Sequence, residues 1–326
     1  MFLGDYFNNI KNNYKNFFFS GTAFNSNQVK KDNIFFAIKG NKVDGNNFIL
    51  SAIRNGAKII VTEKKENGLK NDILFIQSRN VRKLLAEISF KIYNNIPKNI
   101  IAVTGTNGKS SIADFYYQIL DLNKKKVASI GTLGVKSKNL KMNLLNTTID
   151  PIKLSKILSN LKKRNIDNVI MEASSHGLKQ NRLDGLLFNT GIFTNLSQDH
   201  LDYHKNLKNY LKAKLYLFEK LIKKNGNVIA DKEIPQFQKI KKITLNKNLN
   251  LYSLNSQKNN FQYLSHKFQG EAQLLQISHN NSIHKIKLNL IGKIQLKNIQ
   301  MAITAAIKSN IDIKKILKVI PRIKSV

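Results

Sequence analysis

The chain has 326 residues, 42% hydrophobic and 9% aromatic, with 54 Lys and Arg against 20 Asp and Glu, a formal net charge of +34 and no cysteine. That length exceeds one ordinary core and predicts two domains, while the missing cysteine excludes a disulfide framework or a thiolate metal site. No apolar run approaches the roughly 18–20 residues of a membrane span, and Met1-Phe2-Leu3-Gly4-Asp5 lacks the basic and apolar stretches of a signal peptide, so a cytoplasmic protein with no membrane span is expected. The lysines are spread among asparagines and isoleucines along the whole chain, with no Arg-rich tail and no aromatic-interleaved stripe. They read as compositional bias, and no nucleic-acid partner is expected; the positive field favours small anions.

In chain order, residues 33–38 read as a strand, 47–55 as a helix, 57–62 as a strand and 81–93 as an amphipathic helix. This alternation predicts an α/β layer structure. Asn94-Asn95-Ile96-Pro97-Lys98 breaks the pattern and marks a boundary between domains at 1–96 and 97–326. Beyond it come a strand at 100–103, a helix over 110–122, a strand over 126–130 and a helix from Pro151, suited to a first helical turn, to about residue 164. Strands at 168–171 and 190–194 each run into a polar segment, where ligands gather in open parallel sheets. A long helix is expected over 207–224, a strand at 226–230, hairpins and loops through the weakly patterned 246–281, and a helix over 295–308.

Thr104-Gly105-Thr106-Asn107-Gly108-Lys109-Ser110-Ser111 follows the apolar run at 100–103. A strand, a glycine-rich turn and a helix starting at the lysine aim several N–H groups at one point, which suits a polyphosphate. Lys109 then neutralises the terminal phosphates and the Ser110 hydroxyl holds Mg²⁺; an ordinary strand-to-helix turn is the plainer alternative. In Glu172-Ala173-Ser174-Ser175-His176 the carboxylate follows a strand and sits where it reaches a metal held by Ser110, unless the segment is a surface loop with a capping serine. Asp199-His200-Leu201-Asp202-Tyr203-His204 packs two His and two Asp into six positions. His200 suits a metal ligand oriented by the neighbouring aspartates, and His204 a local cap or stack with no catalytic role.

These three segments, in this order and spacing, resemble the Mur ligase family and within it the E-type enzymes; the matches run from about residue 24 to residue 306. The resemblance implies a small N-terminal α/β domain that binds a UDP-muramoyl group, then a P-loop-type central domain with a mainly parallel sheet flanked by helices. It also implies an ATP- and Mg²⁺-dependent ligase of peptidoglycan precursor synthesis. Such an enzyme phosphorylates the carboxylate of UDP-N-acetylmuramoyl-L-alanyl-D-glutamate, and the amine of diaminopimelate or lysine then attacks the acyl phosphate.

By the same resemblance, Gly105 to Ser111 with Gln295 and Asn298 meet the nucleotide. Ser110, Glu172 and His200 serve the magnesium sites, and Lys214, fourteen residues after His200, is the carbamylated lysine; without the resemblance it is one exposed lysine among many. Carbamylation needs a neutral amine and so a depressed pKa. Substrate contacts fall on Asn146, Thr147, Thr148, Ser174, Gln180 and Arg182 in the central region and on Phe24, Ser26, Asn41, Lys42 and Val43 in the first domain. Asn25-Ser26-Asn27 departs from the family's Asp-Ser-Arg, and Gln295 stands where the family has an asparagine.

The sequence stops at Pro321-Arg322-Ile323-Lys324-Ser325-Val326, about where the family's second domain hands over to the third, which binds the incoming amino acid; that domain is expected to be absent here, so the sequence leaves the added residue open. A monomer is expected. A truncated, catalytically idle nucleotide- and UDP-muropeptide-binding protein, or another Mur or folylpolyglutamate-type ligase, stays open as an alternative.

Overall fold

The computed structural model describes all residues except 41–42, 255–260, 270–271, 280–281, 289, 291 and 326. The chain forms two compact units, one of Met1–Asn94, Asp150–Ser159 and Gln180–Leu186, the other of Asn95–Ile149, Asn160–Lys179 and Leu187–Val326.

In the first unit, strands β1 (Gly21–Ala23), β2 (Asn33–Phe36), β3 (Ala57–Thr62), β4 (Gly68–Lys70) and β5 (Ile73–Gln77) form one sheet in the order β1-β2-β3-β5-β4, parallel except for β4. Both faces are apolar, which is why these strands read as continuous hydrophobic runs. Ile34, Phe36, Ile59 and Val61 pack with helices α1 (Leu3–Tyr6) and α3 (Val81–Ile92). Phe35, Ile60 and Phe75 pack on the other face with Ala52 of α2 (Ile49–Arg54). The helix expected over 47–55 is split: a 3₁₀ turn at Gly45–Phe48, capped by the Asp44 side chain, precedes α2.

The second unit contains β6 (Asn99–Thr104), α4 (Lys109–Leu122), β7 (Val127–Gly131), β8 (Gly134–Ser137), β9 (Leu140–Met142), the end of α5 (Pro151–Lys163), β10 (Asn168–Glu172), α6 (Ser175–Lys179), β11 (Phe188–Phe193), α7 (Leu201–His204) and α8 (Leu207–Tyr216). It continues with β12 (Ile222–Asp231), α9 (Phe237–Asn246), β13 (Asn250–Leu254), an antiparallel sheet of β14 (Phe261–Gln269), β15 (Ala272–His279) and β16 (Ser282–Leu288), then α10 (Lys293–Lys308) and α11 (Ile313–Val319). Eight strands make the main sheet in the order β13-β12-β11-β6-β10-β7-β8-β9, parallel from β13 through β7. Apolar residues of α4 at 112, 115, 116, 119 and 120 lie on one helical stripe and share a core with Ile101, Val103, Ile170 and Ile192 of the sheet and with Leu296, Ile299 and Ile303 of α10.

This topology places the site. The chain leaves β6 for β7 on one side and later returns as β11 on the other, so the carboxyl end of β6 is a switch point where loops part and leave a crevice.

One expected element is corrected. The helix predicted over 207–224 ends its α-turns at Tyr216, widens into a π-turn at Leu217–Leu221, and gives way to β12 at Ile222. Ile222 pairs with Phe188 of β11, and this sheet partner overrides the helical spacing that continues in the sequence. Gly191 of β11 makes the close approach possible: a Cβ there would meet Ile222 Cδ1 at 2.8 Å and Phe218 Cε1 at 2.9 Å.

Candidate functional site

At the carboxyl ends of β6, β7, β10 and β11 four loops enclose a polar cavity of about 350 Å³, whose wall includes Thr106 to Ser111, Thr132, Thr147, Glu172, Ser174, Ser175, His200, Tyr210 and Lys214. The loop after β6 turns through Gly105 at φ +148° and Gly108 at φ +85°. A Cβ on Gly105 would fall 1.8 Å from Thr194 Oγ1, so both the backbone angle and the space demand glycine. The loop is braced from the segment after β11. Thr194 Oγ1 donates to the Asn107 carbonyl at 2.6 Å, the Asn107 N–H donates to Asn195 Oδ1 at 3.0 Å, and the Thr106 N–H donates to the Asn195 carbonyl at 3.0 Å.

Two lysines meet at one carbonyl. Lys109, the first residue of α4, folds its ammonium back onto the Gly105 and Thr106 carbonyls at 3.1 and 2.7 Å, and Lys214 from α8 donates to the same Gly105 oxygen at 2.6 Å. Lys214 is 1% exposed and stands 4.3 Å over the Tyr210 ring. Burial first, and then the neighbouring Lys109 charge, bring its pKa from 10.5 down to about 7, with Asp199 pulling weakly the other way. Burial also lowers Lys109, opposed by Glu172 and Asp199. A lysine expected on composition alone to be exposed is thus a buried amine with a large neutral fraction at physiological pH.

Glu172, 2% exposed at the end of β10, accepts hydrogen bonds from Ser110 Oγ at 3.0 Å, from the Thr132 N–H at 2.8 Å and from Thr132 Oγ1 at 3.2 Å. A serine hydroxyl beside a carboxylate at a cavity wall is a hard-oxygen pair that fits Mg²⁺, which keeps several waters and takes phosphate oxygens for its remaining positions. Among the described residues no three His, Asp or Glu side chains are close enough to hold a metal by themselves, so the donor set fits a metal shared with a phosphate rather than a self-contained protein cage.

His200 lies on the cavity wall in a left-handed backbone position, its N–H bonded to Asp199 Oδ1 at 2.8 Å. Behind it, the rings of His176, Tyr203, His204 and Tyr210 stack with centroids 4.1 to 5.5 Å apart. His204 is fully buried and its Nε2 is 3.0 Å from Ser175 Oγ. Its burial, reinforced by Lys179 and His176, lowers its pKa to about 4, so it is neutral at pH 7 and serves the packing of this wall.

The remaining sequence-predicted residues are dispersed. Thr148 is enclosed and gives its hydroxyl to backbone, donating to the Glu172 carbonyl at 3.0 Å and accepting from the Ser174 N–H at 2.9 Å. Asn146 is exposed, outside the cavity wall. Asn298, at the start of α10, is buried and donates to Gln295 Oε1 at 3.2 Å; its Oδ1 lies where a Cβ on Gly108 would come within 2.6 Å. In the first unit, Gln180 Oε1 accepts from Arg182 Nη2 at 2.7 Å, Phe24 is half-buried against the core, Ser26 is buried and Val43 is exposed. Asn41 and Lys42 lie outside the described residues. Thr132, Thr194, Asn195 and Tyr210 were missed as site residues. Each contacts a partner 40 to 109 positions away in sequence or packs on a side chain that does, and only the placement of Thr132, Thr194 and Asn195 just past the carboxyl ends of β7 and β11 could have signalled them.

Residues 103–306 match the Mur ligase middle domain, and residues 19–98 match the Mur ligase family, catalytic domain. The UDP-N-acetylmuramoyl-L-alanyl-D-glutamate--2,6-diaminopimelate ligase of Rickettsia prowazekii (strain Madrid E) is 35% identical over 98% of this chain and 66% of its own length. The ligase of the same name from Rickettsia conorii (strain ATCC VR-613 / Malish 7) is 36% identical over 90% of this chain and 62% of its own. A solved structure of a UDP-N-acetylmuramoyl-L-alanyl-D-glutamate--2,6-diaminopimelate ligase superposes with a TM-score of 0.84 at 25% identity, covering 98% of this chain and 65% of that one. The chain therefore spans slightly under two thirds of the length of the relatives it matches. With the middle-domain match alone covering more than half of its residues, the chain belongs to the Mur ligase family.

Proposed function

We propose that this chain carries the nucleotide and acceptor sites of an ATP-dependent ligase that adds an amino acid to UDP-N-acetylmuramoyl-L-alanyl-D-glutamate in peptidoglycan precursor synthesis. The observation that carries this reading is the convergence of Lys109, Ser110, Glu172 and Lys214 on one cavity. The names of the relatives support 2,6-diaminopimelate, rather than lysine, as the amino acid.

A carboxylate is a poor electrophile, and moving the terminal phosphoryl group of ATP onto it brings anions together. The N–H groups of the 105–111 loop and the Lys109 ammonium take the phosphates, with Lys109 leaving its carbonyl partners for them. Ser110 and Glu172 would hold Mg²⁺, with His200 and a carbamylated Lys214 as further ligands, and the ion would supply Lewis-acid charge neutralisation. The neutral Lys214 amine adds to CO₂, forming a C–N bond and releasing one proton, which leaves an anionic carbamate. The acyl phosphate is then open to the incoming amine, which forms the amide and expels phosphate. Thr147 and Ser174, on the cavity wall, contact the acceptor. Gln295 and Asn298 contact adenine. The expected compartment is the cytoplasm and the expected state a monomer.

The test is calorimetry on the 326-residue chain with Mg²⁺ and a non-hydrolysable ATP analogue, and with UDP-muramoyl-dipeptide. Saturable binding of both is expected; failure to bind the nucleotide, with or without binding of the dipeptide, would overturn the reading.

A further inference from the structure

One of the partners of Glu172 leads away from the phosphate loop. Thr132 Oγ1, bonded to Glu172 Oε2, also lies 3.0 Å from Thr147 Oγ1, and all three residues line the cavity. A hydroxyl has one proton, and a bond to a carboxylate is roughly twice as strong as one between neutral groups. The Thr132 proton therefore goes to Glu172, and the Thr147 proton goes to Thr132. This gives a directed chain, Thr147 to Thr132 to Glu172. It leaves the Thr147 lone pairs as acceptors for a ligand N–H or O–H rather than as a donor to an anion. The adjacent Thr148 ties the same segment to the Glu172 carbonyl and to the Ser174 N–H, so residues 147–148 hold Glu172 through both side chain and backbone.

We propose that Thr132 is a positioning residue that couples the acceptor segment at Thr147 to the metal-holding carboxylate of Glu172, an inference that rests on the ligase reading above. A ligand that draws on Thr147 alters how firmly Glu172 is oriented, and by linkage the metal–nucleotide complex and the acceptor affect each other's binding.

The test is the Mg²⁺ dependence of binding of a non-hydrolysable ATP analogue, measured by calorimetry on the whole chain with no acceptor present. Thr132→Val and Thr147→Val are each expected to raise the half-saturating Mg²⁺ by about three- to ten-fold. The double variant is expected to do no worse than Thr132→Val alone, because the two act in series. Thr132→Ser, which keeps the hydroxyl, returns the value to within about two-fold of the parent. Thr147 is half-buried on the cavity wall, so Thr147→Val keeps the test alive should Thr132→Val not fold. A parental Mg²⁺ dependence in Thr147→Val, or a double variant whose effect is the product of the singles, overturns the coupling. Failure of the parent protein to bind the nucleotide at all would instead overturn the ligase reading.

Discussion

The two edges of the eight-stranded sheet each gather lysines around a cavity and differ in what surrounds them. At the amino edge, Lys98, Lys223, Lys224 and Lys308 line a cavity of about 380 Å³ together with Asn99, Asn168, Asn189 and Asn227. There the amides satisfy one another and the strand starts: Asn99 Nδ2 donates to Asn168 Oδ1 at 3.0 Å, and Asn189 Oδ1 accepts from the Ile100 N–H at 3.0 Å and from Lys223 Nζ at 3.2 Å. Lys98 and Lys224 are exposed and Lys308 lies over the Tyr252 ring. At the carboxyl edge only two lysines are involved, but loops fold over them, remove water and press both against one backbone oxygen. In a chain of charge +34, positive charge says little about where chemistry happens. Desolvation of a particular cation beside a particular acceptor says much more.

Three substitutions break or sharpen that contrast. Gly105→Ala has the largest expected effect. Thr194 cannot yield to the new Cβ, because its hydroxyl is engaged on Asn107, so the brace and the loop separate. Stability should fall by about 2–4 kcal/mol, with nucleotide binding lost in calorimetry. Lys214→Met comes next and has opposite signs for stability and function. The native pKa lies below that of the unfolded chain, so the buried ammonium penalises folding in full below pH 7, and the penalty fades as pH rises from 7 toward 10.5. Thermal melts should show the variant more stable by about 2–4 kcal/mol below pH 7 and close to the parent near pH 10, while Mg²⁺-dependent binding of a non-hydrolysable ATP analogue should weaken in calorimetry. Lys223→Ala, at the amino edge, has the smallest expected effect, within about ±0.5 kcal/mol in melts and with unchanged nucleotide affinity.

Much of this contrast was legible in the sequence. The apolar runs that became β3 and β6 were readable because strands buried on both faces need no alternation. The glycines of the 105–109 loop were readable because a tight turn at positive φ with no room for a Cβ tolerates few other residues. The burial of Lys214 was not, since it arises from α8 lying over the Gly105 carbonyl, 109 positions away. The link between Thr132 and Thr147 was not legible, because it lies in a hydroxyl-to-hydroxyl contact between two loops. The misread end of the 207–224 helix has the same origin: Leu217, Phe218, Leu221 and Ile222 continue a helical spacing, and only pairing with Phe188 shows that the chain has turned into the sheet.

The missing side chain at Gly191 works as a keyway for that turn. Phe218 and Ile222 seat in it, and they follow Lys214 by four and eight residues. The depth to which they seat sets how far the end of the helix stands off the sheet, and with it the reach of the Lys214 amine to the Gly105 carbonyl. A methyl group added in the sheet interior, at a residue outside the wall of the site's cavity, would act like a shim under a bearing, changing the working clearance of the site without touching any residue on that wall.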